Sequence, residues 1–149
     1  MRKYVLISLS LIALAAIVAT ARLDSLESAT PPGSPKWTRI APYSDINWDA
    51  PGEDPYVLVD GQWYVLKSIA GLPIKSVQKF AIEEYGDWEM AEKRIAEDIY
   101  DVLVAMGVEQ PTTVGMKVQL FETGRILDLP GVPMTAEKRS QVYRSRNEL

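Results

Sequence analysis

Four carboxylates, Asp45, Asp49, Glu53 and Asp54, fall within ten positions of one another and beside Tyr43 and Trp48. An acid and a base or nucleophile flanking a sugar-sized cleft is the requirement for glycoside hydrolysis, and aromatic rings next to carboxylates suit sugar faces. Lys67-Ser68 and Lys75-Ser76 offer a second chemistry, a serine nucleophile activated by lysine. Adjacent residues of a strand point to opposite faces, however, so Lys67 is badly placed to activate Ser68, and Ser76 reads better as a helix cap. A third group, Glu83, Glu84, Asp87, Glu89, Glu92, Glu97, Asp98 and Asp101, is dense in oxygen ligands. It lacks the regular acidic spacing and glycine of a calcium loop, and reads as a solvated helix face.

The chain holds 0 His and 0 Cys. That removes the usual neutral-pH base, the Ser-His and Cys-His pairs, ordinary zinc sites and any disulfide. No catalytic, cofactor or metal residue is assigned on these grounds. Setting aside Arg2 and Lys3 leaves 14 cations against 20 anions, a charge of −6. Such a surface repels phosphate backbones and argues against nucleic acid as a partner.

The strongest positive feature is aromatic: Trp37, Tyr43, Trp48, Tyr56, Trp63 and Tyr64. A small domain without disulfides needs large side chains to fill a core, so core packing competes with a binding role for each ring. Asp60-Gly61 signals a two-residue hairpin turn, which needs positive φ at both central positions. Pairing outward sets Val59 against Gln62, Leu58 against Trp63, Val57 against Tyr64 and Tyr56 against Val65. Trp63 and Tyr64 therefore lie on opposite faces and cannot form one platform. Trp63 with Leu58 is expected to enter the core, leaving Val57, Val59 and Tyr64 as the candidate partner surface.

The elements around this hairpin follow from pattern and punctuation. Ser44 to Asp49 reads as a short strand, ended by the turn cluster Pro51-Gly52-Glu53-Asp54-Pro55. Val77, Phe80, Ala81 and Tyr85 predict a helix capped by Ser76 and stopped by Gly86. Trp88, Ala91, Ile95, Ile99, Val102, Leu103 and Met106 form one stripe of a single long helix from Asp87 to Met106, with Gly107 as its stop. Met116, Val118 and Leu120 then alternate, and Glu122-Thr123-Gly124 turns the chain back through Arg125 to Leu129 as a second hairpin. Thr135 caps a short helix through Tyr143 with little apolar surface to dock, followed by a fraying tail. The fold class is α+β: a small antiparallel sheet of two hairpins on a two-helix block.

Residues 1–21, MRKYVLISLSLIALAAIVATA, join two cations to an apolar run closing on Ala19-Thr20-Ala21. This is the pattern of a secretory signal peptide, and its length also suits a membrane anchor if it is not cleaved. Residues 22–36 have the Ser, Thr, Pro and Gly content of a linker. The globular domain is expected over 37–134, with the short helix and tail over 135–149.

Leu66-Lys67-Ser68-Ile69-Ala70-Gly71-Leu72-Pro73-Ile74 resembles the strand-turn segment of bacterial PDZ domains. The helix ending at Met106-Gly107, then Thr113-Val114 before a strand and the turn at Gly124, is similar to that fold's C-terminal half. The resemblance implies a partly closed barrel as an alternative fold, and binding of an extended chain by strand addition at an open edge. The carboxylate-binding Gly-rich loop of that family has no counterpart, so no peptide-binding residue is carried over.

Together these features describe an exported or membrane-tethered non-catalytic interaction module of the cell envelope, periplasmic or extracellular, engaging an envelope protein or peptide. A small carboxylate-dependent hydrolase of envelope polysaccharide, and an accessory part of a larger envelope enzyme, stand as alternatives.

Overall fold

The computed structural model describes residues 37–148. The segment expected as signal or anchor and the linker, 1–36, lie outside the described residues. Among the described residues no helix is long and apolar enough to cross a membrane.

The structure is α+β. Strands β1 (Asp45–Asn47), β2 (Tyr56–Val59), β3 (Gln62–Ile69) and β4 (Leu72–Pro73) precede three helices, α1 (Ile74–Tyr85), α2 (Trp88–Glu97) and α3 (Ile99–Ala105). Strands β5 (Thr113–Gln119) and β6 (Ile126–Pro133) and helix α4 (Ala136–Asn147) complete it. The strands form one antiparallel sheet in the order β1-β2-β3-β5-β6, with β4 paired to the end of β3. The sheet is open rather than closed into a barrel, which corrects the PDZ-like alternative. Its edges differ: β1 has three residues, whereas β6 has eight but carries Pro130 and Pro133, which donate no ladder hydrogen bond.

Both hairpins form where the turn residues place them. Asp60 and Gly61 take φ of 49° and 82°. The pairing is Tyr56 to Val65, Val57 to Tyr64, Leu58 to Trp63 and Val59 to Gln62, as predicted. In the second hairpin Gln119 pairs with Ile126 and the Leu120 N–H donates to the Arg125 carbonyl, so the loop runs over four residues, 121–124, one more than Glu122-Thr123-Gly124. Gly124, with φ 68°, is still its left-handed residue and donates its N–H to the Leu120 carbonyl at 2.9 Å.

One face of the sheet and the helices share a single core. Ile46, Val57, Leu66, Ile69, Met116 and Val118 meet Ile74, Val77, Ile95, Ile99, Val102 and Leu103, all at most 2% exposed. Tyr43 is wholly buried there, its hydroxyl donating to the Ile95 carbonyl; burial drives that hydroxyl's pKa far upward.

Three helix expectations need correction. Helix α1 begins at Ile74, not after Ser76, because Ile74 is itself buried and shares one face with Val77 and Ala81. The long helix is two: the backbone leaves helical geometry at Asp98, with φ −131° and ψ 33°. The apolar stripe runs through this break, which is why periodicity does not reveal it. Helix α4 reaches Asn147 and docks despite its polarity, with Val142 fully buried and ion pairs and hydrogen bonds adding polar contacts.

Candidate aromatic site on the outer face of the sheet

The hairpin register sorts its aromatic rings, and burial shows which way each set points. Val57 is 0% exposed and Val59 3%, while Tyr64 is half-buried against the same core. The face expected as a partner surface is therefore the inner one. Trp63, expected in the core, lies half-exposed on the outer face with Tyr56, Leu58 and Val65. Alternation tells which residues share a face but not which face the helices cover. The missing signal stands just beyond the hairpin, where Leu66 shares parity with Tyr64, and Lys67 shares it with Trp63.

On the outer face, Asn47, Trp48, Asp49, Tyr56, Trp63 and Phe121 line a shallow hollow of about 550 Å³. Three neighbouring strands position them. Asn47 ends β1 and hands the chain to Trp48 and Asp49; Tyr56 opens β2 opposite Asn47; Trp63 stands near the start of β3. Phe121 comes from the turn after β5 and stacks on Tyr56, ring centres 5.0 Å apart and planes 23° from parallel. Trp48 is fixed edge-on against Trp88 of α2 at 5.9 Å and 89°, and its indole N–H is buried without a partner among the described residues.

Asp49 is the charged member of the hollow. The Tyr56 hydroxyl donates to its Oδ2. That hydrogen bond raises the Tyr56 pKa, with smaller contributions from burial and from the charges of Asp49 and Glu53. Phe121 is 52% exposed and was absent from the aromatic set singled out in the sequence. Its position two residues beyond Gln119, on the polar parity of an alternating strand, is the feature that marks it.

Three of the four carboxylates of the sequence cluster, Asp45, Asp49 and Asp54, have different partners, while Asp49 and Glu53 both act on Tyr56. Asp45 Oδ1 accepts from the Ile46 N–H at 2.8 Å and from Ser145 Oγ at 2.9 Å. Asp54 is clamped by Lys67 at 2.8 Å and Lys75 at 3.0 Å. Burial pushes its carboxyl up, but the hydrogen bonds and charges of the two lysines outweigh it and hold Asp54 below the usual carboxylate range. Glu53 is exposed, and its carbonyl accepts from Gln78 Nε2 at 2.6 Å. Tyr43, expected beside this group, belongs to the core. The lysines of both Lys-Ser pairs are thus committed to Asp54, and Ser76 sits exposed inside α1.

The acidic helical run is only partly a solvated face. Glu97 and Asp98 are 5% and 4% exposed. Arg139 of α4 reaches Glu97 at 3.3 Å and Asp98 at 3.8 Å, and Arg94 bonds Asp98 at 2.7 Å. Arg146 pairs with Glu92 at 2.9 Å, and Asp101 Oδ2 accepts the Thr38 N–H at 2.9 Å. Burial raises the Asp101 carboxyl against that hydrogen bond. These contacts join α2, α3, α4 and the start of the described chain. Among the described residues no group of three or more metal-ligating side chains converges.

No protein-family model matches the chain, and neither a curated protein nor a solved structure was found similar to it.

Proposed function

We propose that this chain is a non-catalytic interaction module of the cell envelope, exported or tethered through residues 1–21, which engages a protein or peptide partner through the outer face of its sheet. The observation that carries this reading is the hollow around Tyr56, Trp63 and Phe121, where aromatic rings gather on the outer face of a paired sheet, Phe121 exposed and Tyr56 and Trp63 partly so. Aromatic side chains supply contact area at small cost in conformational entropy, and they are enriched where binding energy concentrates. Three carboxylates of the sequence cluster have separate partners, Asp45 with Ser145, Asp49 with Tyr56, and Asp54 with Lys67 and Lys75, which favours a structural role for them over a catalytic one.

The experiment uses the full chain immobilised beside its Trp63→Ala/Phe121→Ala variant, with an envelope extract passed over both. A polypeptide retained by the unmodified chain and lost with the variant is the expected result, provided the variant keeps its cooperative unfolding. Turnover of a glycoside or peptide panel that disappears on Asp49→Asn overturns the reading in favour of a hydrolase.

A further inference from the structure

Where a guanidinium lies over an aromatic ring in the helical layer, a carboxylate holds the same guanidinium. Arg94 sits 4.4 Å above the Trp37 ring and 5.8 Å from Tyr85 while bonding Asp98. Arg139 sits 5.1 Å from the Tyr143 ring while bonding Glu97. The ring's negative face attracts the cation, and the carboxylate fixes its planar fork.

The outer hollow offers the same two components without the cation. It presents Trp63 and the Tyr56–Phe121 stack with the Asp49 carboxylate among them. Asp49 Oδ2 takes the Tyr56 hydroxyl, and its Oδ1 receives no hydrogen bond from the described residues. No ion pair among the described residues uses Asp49 or Glu53, while Lys67, which shares parity with Trp63 along β3, is held by Asp54. Covering Asp49 with a neutral ligand would remove an uncompensated charge from water, which is costly. A planar cation offsets that cost and places its face on the rings.

We propose that the hollow receives an arginine side chain of a partner polypeptide, its guanidinium stacked on the rings of Trp63 and the Tyr56–Phe121 pair and paired with Asp49. This rests on the interaction-module reading and names the partner's anchoring residue.

The test follows the tryptophan indole N–H resonances of the full chain by NMR during titration with N-acetyl-arginine amide. N-acetyl-citrulline amide at matched ionic strength serves as the neutral isostere. Saturable shifts at the Trp63 indole with arginine, at least about tenfold weaker with citrulline, are expected, since one charge-assisted pair in a partly exposed site contributes on the order of 1.4 kcal/mol. Asp49→Asn should reduce arginine binding to the citrulline level. Lysine amide should bind more weakly than arginine, because its ammonium cannot stack as a plane. Equal binding of arginine and citrulline sinks the cation site while leaving the interaction module standing. Tighter binding of tetramethylammonium than of arginine would replace the polypeptide partner with a quaternary ammonium ligand. Absence of any shift at Trp63 overturns the proposal, whereas the module itself is overturned by failure of the immobilised unmodified chain to retain a polypeptide or by turnover that depends on Asp49.

Discussion

The two layers of this protein treat charge and aromatic rings in opposite ways. In the helical layer, Arg94 and Arg139 satisfy Glu97 and Asp98, cover Trp37, Tyr85 and Tyr143, and hold α4 to the junction of α2 and α3. On the outer face of the sheet, Phe121 is exposed and Trp63 partly exposed beside Asp49, and no described cation covers them. One region spends these groups on holding the chain together; the other leaves the same chemistry facing solvent. Residues of similar type therefore carry different expectations for stability and for binding, according to the layer that holds them.

The sharpest way to break this contrast is to remove Arg139, whose side chain is 12% exposed. Arg139→Ala leaves Glu97 buried without its partner and Asp98 with Arg94 alone. Breaking a buried pair from one side costs about 3–5 kcal/mol, because the remaining charge stays desolvated. Urea denaturation should show that loss as a lower midpoint, with α4 the first element to lose amide protection from exchange. A cost near 1 kcal/mol would mean that Val142 rather than the ionic contacts holds α4, and that the helical layer does not depend on its charges.

The legible and illegible parts of the fold divide along the same line. Local punctuation spoke clearly: Asp60-Gly61 fixed a register that the sheet reproduces pair by pair, and Gly86 and Gly107 close helices with positive φ. What was hidden depends on partners distant in sequence. Asp98 reads as one more helical acid until Arg139 arrives from α4 to bury it. The hairpin's inner face was identifiable only through Ile46, which pairs with Val57 from a three-residue strand, and through the parity of Leu66 and Lys67. The candidate site was half legible, since Trp48, Tyr56 and Trp63 stood out by type. Phe121 did not, because its stacking on Tyr56 joins residues from the two hairpins.

A smaller effect sharpens the comparison within a single hairpin. Val57→Ala removes two carbons from a fully buried site and should cost about 2 kcal/mol from lost transfer energy plus the cavity left behind. Trp63→Ala removes a whole indole but from the outer face, and should cost about 1 kcal/mol or less. Chemical denaturation of the two variants checks the order. If Trp63→Ala proves the more damaging, the outer ring is a structural member of the sheet, and its use as a binding surface would carry a stability cost.

The smallest expected effect concerns acid, and it separates the layers by sign. Asp54, between Lys67 and Lys75 on the sheet side, has its folded pKa held below its unfolded value of about 3.9. Its contribution to stability is therefore present above that unfolded value and is lost as pH falls through the folded one. Asp101, beside Thr38 on the helical side, has its folded pKa raised by burial. Its ionisation consequently weakens the folded state as pH rises from the unfolded value through the folded one. Asp54→Asn should be less stable than the unmodified protein near neutral pH, with the gap narrowing on acidification below about pH 4. Asp101→Asn retains an oxygen that can accept the Thr38 N–H, and it should gain stability relative to the unmodified protein between about pH 4 and neutrality. Urea midpoints of the three proteins across that range decide it. Parallel curves would show that neither carboxylate is coupled to folding, whereas divergence in opposite directions would locate the acid-sensitive attachment on the sheet side and the acid-tolerant one where the helices meet Thr38.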